Sequence, residues 1–288
     1  MFLAVDESSI SKCWASALQQ VFFEGDQIKT QYDAEDDLPS RDVTSAIHVK
    51  DPLSQPFSLR GKIRRVAGSI IYCHPADIYC IEAIKGGYLT EVMAGDRDKD
   101  IWENETSYPY TYHDRLLNYK AMNVEDKPYL KNVSDELLKS VAELPGINQI
   151  QFIIEKLKKS PYTRRAQGIT WRPLSDNIRF DPPCLQRIWF RVYEGKLRMN
   201  THWRSRDLFG AWEANVNGMV QMANYIAEEV GVEFSEYFDF CDSLHIYGRK
   251  KLIYKEVVPL LARVRNKDGL IKEEYSSLLD EWLESAEK

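Results

Sequence analysis

The run IWFRVYEGKLRMNTHW, Ile188 to Trp203, constrains the fold more than any other stretch. Ile188, Phe190 and Val192 alternate with polar or amphipathic residues, Glu194-Gly195 marks a turn, and Leu197 and Met199 resume the alternation. A period of two puts these side chains on one face of a β-hairpin, and that face needs a covering layer. The cover is legible downstream. Val216, Met219, Val220, Ala223, Ile226, Ala227 and Val230 fall at helical spacing, so a helix with one buried stripe is predicted over Ala214–Val230. Hairpin and helix together predict a single α+β domain.

The remaining pattern fills in that architecture. Ile10 to Phe23 is a short amphipathic stretch, and the acidic run DAEDD, Asp33 to Asp37, is expected to be solvated. SAIHVKDP alternates and stops at Pro52, as a strand does. A helix is expected from about Asp77 to Met93, weakened by Gly86 and Gly87. Helical spacing recurs over Ser134–Leu144 and Asn148–Leu157, AQGITWRP reads as a strand, and Glu256–Lys288 reads as two helices around NKDG. With 288 residues, 44% hydrophobic, the chain can bury a sizeable core. No apolar run nears the roughly 18–20 residues that span a bilayer. The opening MFLAVDESSISK has an acidic residue at position 6 and no basic region, which argues against a signal peptide and for a cytoplasmic protein.

Charge narrows the ligand. The formal net charge is −6, against a general nucleic-acid or membrane binder. Between Arg164 and Asp207, however, ten basic residues face four acidic ones, a local +6 that leaves −12 for the rest. Nine of the ten are arginine, whose planar fork grips oxyanions with two parallel donors. A small phosphorylated ligand suits such a window. The five cysteines (Cys13, Cys73, Cys80, Cys184, Cys241) lack the C-x-x-C spacing of zinc or redox sites, so no metal is implied and reduced, buried thiols are the default.

Cys184 departs from that default. It follows Pro182-Pro183 in FDPPCLQRIWFRV, two residues that fix φ and stiffen the approach to a strand. Taken alone it reads as a buried cysteine that opens a core strand. Its company is TRR (Thr163 to Arg165), WRSRDLFGAWEAN (Trp203 to Asn215) and CDSLHIYG (Cys241 to Gly248). Arg-Arg before a strand, Pro-Pro-Cys before a hairpin, Arg-Ser-x-Asp with an Asn eight residues later, then Asp…His-x-Tyr: this order resembles the thymidylate synthase family. YLTEVMAG, YTYHDRL and the Leu after the cysteine resemble its archaeal branch. The likeness covers roughly Ile47 to Gly248.

The resemblance implies a large twisted mixed β-sheet flanked by helices, one sheet face forming a homodimer interface, with residues 1–40 an N-terminal extension packed on a catalytic domain of residues 41–288. It implies that Cys184 attacks C6 of the uracil of dUMP, which makes C5 nucleophilic. A thiol near pKa 8.5 needs cationic help to ionise, and Arg204 is the family's counterpart for that and for the phosphate. Ser205, with Arg164 and Arg165 from the partner subunit, would share the phosphate. Asn215 can accept from uracil N3–H and donate to O4, a pattern cytosine cannot meet; as a bare sequence feature it could equally cap a helix. His245 and Tyr247 match the residues that bind the sugar 3′-hydroxyl. Glu91 matches the general base working through water, with Glu82 a competing assignment, and Tyr112 matches the tyrosine near C5. Asp207 matches the aspartate on the pterin, and Trp102 could stack there. The phosphate arginine of the N-terminal region is placed at Arg41, with Arg60 and Arg64 behind it. The implied co-substrate is 5,10-methylenetetrahydrofolate or a methanopterin-type analogue.

Several departures accompany the likeness. Leu185 replaces the common His, Trp203 replaces the Gln before Arg204, and one extra residue lies between Asp242 and His245. EEYSSLLDEWLESAEK lacks the family's short apolar tail. Reductive methylation of dUMP to dTMP is the leading expectation. A dUMP hydroxymethylase and a non-catalytic nucleotide- or RNA-binding homologue are the alternatives.

Overall fold

A computed structural model of the chain describes residues 1–31, 33–54, 59, 64–66, 69–71, 110–122, 127, 130, 132–179 and 181–286. The class is α+β, as the sequence pattern requires. Two compact units partition the chain: Met1–Gly87 with Arg204–Val220 and Glu236–Lys288, and Tyr88–Trp203 with Gln221–Ser235.

In the first unit, β1 (Phe2–Glu7) runs parallel to β3 (Ser40–Val49), which pairs antiparallel with β2 (Asp26–Ile28) and with β10 (Glu233–Ile246). The two-residue strand β9 (Arg206–Asp207) joins β10 in parallel. This sheet is therefore mixed. Leu3 and Val5 point inward with Val43, Ile47 and Val49, while Phe2, at 65% exposed, points to the other face. The inner face is covered by α1 (Ile10–Glu24), which Ser9 caps by accepting the Lys12 N–H. Trp14 is fully buried, and its indole N–H donates to the Leu208 carbonyl at 2.9 Å. The end of the chain packs on α1. Helix α6 (Val258–Asp268) stops at Gly269, whose φ of 60° allows the left-handed cap, and α7 (Glu273–Ala286) follows. Tyr275 stacks on Phe23, and Trp282 lies against Phe22. Gln19 is buried between Leu270 O and Lys272 N, bonding both at 2.8–2.9 Å.

In the second unit, β6 (Ala166–Ile169), β7 (Leu185–Tyr193) and β8 (Lys196–Trp203) form an antiparallel meander. The hairpin turn lies where the sequence puts it: Glu194 (φ 50°) and Gly195 (φ 77°) both take left-handed backbone, as a two-residue primed turn requires. Two helices, α3 (Asp135–Ala142) and α4 (Gln149–Lys159), occupy the two helical patterns. Gln149 of α4 donates to Ile169 O at 2.7 Å and accepts from Ile169 N at 2.9 Å, which pairs backbone groups at the end of β6 with a side-chain amide.

Helix α5 (Trp212–Val230) begins two residues earlier than its apolar stripe indicates, because Trp212 and Glu213 are themselves buried. The run DAEDD is less solvated than its charge suggests. Asp33 accepts from Thr30 N at 2.7 Å and from Ser40 Oγ at 2.9 Å, and Asp37 accepts from Lys250 N at 3.3 Å. The helix expected over Asp77–Met93 lies outside the described residues.

Candidate active site

The nucleophile candidate lies in the second unit. Pro183 is buried, Cys184 is half-buried, and β7 begins at the next residue, Leu185, which is fully buried. The other described thiols are different. Cys13 is fully buried, and desolvation pushes its thiol up to about 12; Cys241, also buried, is pushed up by the same cause with Asp239 adding to it. A nucleophile must be reachable and able to ionise, and Cys184 is the described cysteine that is open to solvent.

Tyr112 opens the short helix α2 (Tyr112–Leu117), capped by Thr111, whose hydroxyl accepts the Asp114 N–H at 2.9 Å. The Tyr112 hydroxyl accepts the Leu185 N–H at 3.3 Å, one residue past the thiol. Trp203 is buried edge-on to the Tyr112 ring, centroids 5.8 Å apart. Trp203 therefore forms an aromatic wall against the tyrosine. Arg164 and Arg165 are exposed at the turn before β6. The Trp189 indole N–H holds that turn by donating to Arg164 O at 3.1 Å.

In the first unit the remaining candidates fall on adjacent backbone. Strand β9 carries Asp207 opposite His245 and Arg206 opposite Leu244. Arg204 and Ser205, immediately before β9, are half-buried. Asp207 accepts the Gly210 N–H at 2.7 Å; a Cβ at Gly210 would sit 2.2 Å from the same carboxylate and would make the Asp207 side chain shift. Asn215 lies inside the first turn of α5, with its N–H on Ala211 O at 3.0 Å, and is not the helix cap. On the neighbouring strand, Arg41 pairs with Ile246 and Asp42 with His245. Arg41 is half-buried, and desolvation lowers its pKa.

The extra residue before His245 has a structural explanation. The β10–β3 register shifts between Cys241↔Ser45 and Leu244↔Val43, so three steps on β10 answer two on β3: a β-bulge. Thr44 Oγ1 donates to Asp242 O at 2.9 Å, and the Ser243 hydroxyl bonds the Asp42 carboxylate. Past the bulge, Leu244, His245 and Ile246 are all buried. His245 Nδ1 lies 3.2 Å from Ser243 O, and its Nε2 has no hydrogen-bond partner among the described residues. A proton on Nδ1 satisfies that carbonyl and leaves Nε2 an acceptor, suited to an alcohol O–H. The Tyr247 ring packs edge-on to His245 at 4.7 Å. Gly248 N donates to Ser40 Oγ at 3.2 Å, and Leu38 N donates to Gly248 O at 3.0 Å.

One feature of this unit carries no sequence expectation. Arg206, in the variable slot of Arg-Ser-x-Asp, is 2% exposed and ion-paired with Asp239, which is 0% exposed. Tyr237 Oη donates to the same carboxylate at 2.8 Å, and the Trp212 ring lies 5.9 Å from the guanidinium. Burial opposes the charge on Arg206, but Asp239 outweighs it and the pKa is raised. A charged residue flanked by LFGAW and an aspartate at an inward position of FDFC were the available signals. Glu91, Glu82, Trp102, Arg60 and the side chain of Arg64 lie outside the described residues, as do Cys73 and Cys80. Among the described residues no helix is long and apolar enough to cross a membrane, and no group of three His, Cys, Asp or Glu could hold a metal ion.

These local arrangements agree with the similarity of the chain to known proteins. The family model described as Thymidylate synthase matches residues 96–272, and the chain belongs to that family, a family of one-carbon transferases. The chain is 25% identical to a protein of Methanothermobacter marburgensis named "Putative thymidylate synthase", over 89% of this chain and 97% of that one. It is 35% identical to a protein of the same name from Methanocaldococcus jannaschii, over 54% of this chain and 62% of that one. A shorter match, 35% identical over 35% of this chain and 27% of the relative, is to the deoxyuridylate hydroxymethyltransferase of Bacillus phage SP01.

Proposed function

We propose that the protein is a thymidylate synthase that converts dUMP to dTMP, with Cys184 as the covalent nucleophile. The carrying observation is the contrast between Cys184, open and preceded by two prolines, and the buried, hard-to-ionise Cys13 and Cys241. In this reading the Cys184 thiolate bonds to C6 and makes C5 a carbon nucleophile. A methylene-carrying tetrahydropterin supplies both the one-carbon unit and, as hydride, the two electrons that reduce it to methyl, leaving as the dihydropterin. Tyr112 helps take the C5 proton, Glu91 serves through water, and expulsion of the Cys184 thiolate frees dTMP. Arg204, Ser205 and Arg41 take the phosphate, Asn215 reads O4 and N3–H, His245 and Tyr247 take the 3′-hydroxyl, and Asp207 and Trp102 take the pterin.

Arg164 and Arg165 act on the partner subunit's nucleotide in a homodimer. Phe2 (65% exposed) and Phe240 (41%) on the outer sheet face of the first unit, and the exposed Arg164 and Arg165, support that association. Light scattering tests it; a monomer at micromolar concentration overturns it. The test of the reaction is tritium release from 5-tritiated dUMP with methylenetetrahydrofolate. Release that vanishes in Cys184→Ala supports the enzyme, and no release with any one-carbon donor overturns it. A second reading, dUMP hydroxymethylation, is favoured by the phage relative. There water attacks the exocyclic methylene, so hydroxymethyl-dUMP and tetrahydrofolate form in place of dTMP and dihydrofolate. Product analysis separates the two.

A further inference from the structure

The backbone around Cys184 is gripped by several side chains, of which the family likeness assigns only Tyr112. Tyr110, two residues before Tyr112, is half-buried, and its hydroxyl is hydrogen-bonded to the Cys184 backbone and to the Tyr112 hydroxyl. Burial, with Cys184 and Asp181 adding to it, raises the Tyr110 phenol, so it stays neutral and hydrogen-bonding at any working pH. The Tyr112 hydroxyl takes the next amide, Leu185 N–H, at 3.3 Å. The two rings lie 5.7 Å apart. Two hydroxyls at spacing i, i+2 thus meet two consecutive residues of the chain at the nucleophile.

Thr170 holds the carbonyl groups that follow. Its hydroxyl donates to Leu185 O, and its N–H donates to Gln186 O at 3.1 Å. Thr170 is itself fixed by Arg115 of α2, whose Nη1 donates to Thr170 O at 2.9 Å. The same guanidinium makes a two-pronged pair with Asp176, both bonds 2.9 Å, both residues fully buried. The guanidinium also lies 5.7 Å from the Tyr110 ring. Arg115 is one helical turn from Tyr112, so α2 is tied to the strand mouth directly through Tyr112 and indirectly through Thr170. Asp176 further accepts Arg172 N at 2.6 Å, which ties in the loop leading to Pro182.

We propose that Tyr110 is a positioning residue for the nucleophile: with Tyr112, Thr170 and the Arg115–Asp176 pair it clamps residues 184–186 and fixes the direction in which the Cys184 Sγ points. The proposal rests on the reading of Cys184 as nucleophile. A misplacement of about 1 Å in a reacting atom costs on the order of 100-fold in rate. The two prolines restrict the chain before the thiol; the clamp restricts the chain after it.

The test uses Tyr110→Phe, which keeps the ring and removes the hydroxyl, and Thr170→Val, which keeps the volume and removes the hydroxyl bond to Leu185 O. Two quantities are read. Amide hydrogen exchange over residues 184–186 is expected to quicken in both variants. Tritium release is expected to lose kcat by about 10- to 100-fold with KM for dUMP unchanged within a factor of two. A purely structural role would lower the melting temperature without this split. Exchange and kcat both at the wild-type level in Tyr110→Phe overturn the proposal, and so does faster exchange with unchanged kcat. If the wild-type protein releases no tritium, the substrate reading falls. The clamp is then judged by exchange and by the iodoacetamide rate at Cys184, both of which must change in Tyr110→Phe.

Discussion

The buried pair Arg206–Asp239 gives a stability prediction that can be worked from the structure. Arg206→Met leaves Asp239 charged, 0% exposed, and held by the Tyr237 hydroxyl at 2.8 Å. Removing one partner of such a pair typically costs about 3–5 kcal/mol, because the other charge stays buried without compensation. Asp239→Leu strands the guanidinium in the same way, at a similar cost of roughly 3–5 kcal/mol. The double replacement removes both charges and keeps apolar volume, so its cost falls well below the sum of the two, to within about 2 kcal/mol of wild type. Urea unfolding at pH 7, followed by circular dichroism, measures all four corners of this cycle. Arg206 lies in β9 directly after Arg204 and Ser205, with Asp239 on β10, so the single variants should also weaken phosphate binding. An Arg206→Met protein within about 1 kcal/mol of wild type, or a double variant with fully additive cost, refutes the argument.

Other consequences follow from the same geometry. Asn215→Asp replaces an amide donor with an acceptor, so kcat/KM for dUMP should fall about 100-fold or more while dCMP gains in competition; unchanged preference between the two counts against Asn215 as the base reader. The folded-state pKa of Cys13 is raised from 9.0 to about 12 and that of Cys241 is also raised. Their burial therefore adds stability below about pH 9 that is lost as pH climbs toward 12, visible as a falling urea midpoint over that window and less so in Cys13→Ala. At pH 8, site-resolved iodoacetamide labelling should favour Cys184 over Cys13 and Cys241; equal labelling contradicts the burial argument. Gly248→Ala would place a Cβ 1.8 Å from Leu38 O. It should cost about 1–3 kcal/mol by urea unfolding and raise KM for dUMP through Tyr247, whereas a neutral effect would show that the 38–40 segment does not fix that strand end.

How much of this was legible in the sequence depended on whether a feature was periodic or relational. The hairpin, its Glu194-Gly195 turn and the stripe on α5 follow from periods of two and 3.6, and both appear at the predicted positions. Gly269 likewise ends a helix within NKDG. The start of α5 was misplaced by two residues because Trp212 and Glu213 are buried for tertiary reasons that a stripe does not record. Motif order singles out Cys184, Tyr112, Asp207 and His245 as candidates, since those residues stand at fixed offsets within short segments. Arg206 and Asp239 lie 33 residues apart and meet through β9–β10 pairing, and Tyr110 reaches Cys184 across 74 positions. Such pairings are set by strand register and helix placement, which leave no local trace in composition. The acidic run Asp33–Asp37 shows the same limit: charge predicted exposure, but backbone N–H groups of Thr30 and Lys250 engage its ends.

The central claim is that Cys184 forms a covalent bond to a pyrimidine nucleotide. Its most direct test is peptide mass spectrometry of the protein incubated with 5-fluoro-dUMP and methylenetetrahydrofolate, where fluorine at C5 blocks the proton loss that would release the enzyme. The account predicts a stable adduct carrying nucleotide and pterin on the peptide containing Cys184, absent in Cys184→Ala. An adduct on any other residue, or none in a protein that binds both ligands, contradicts it.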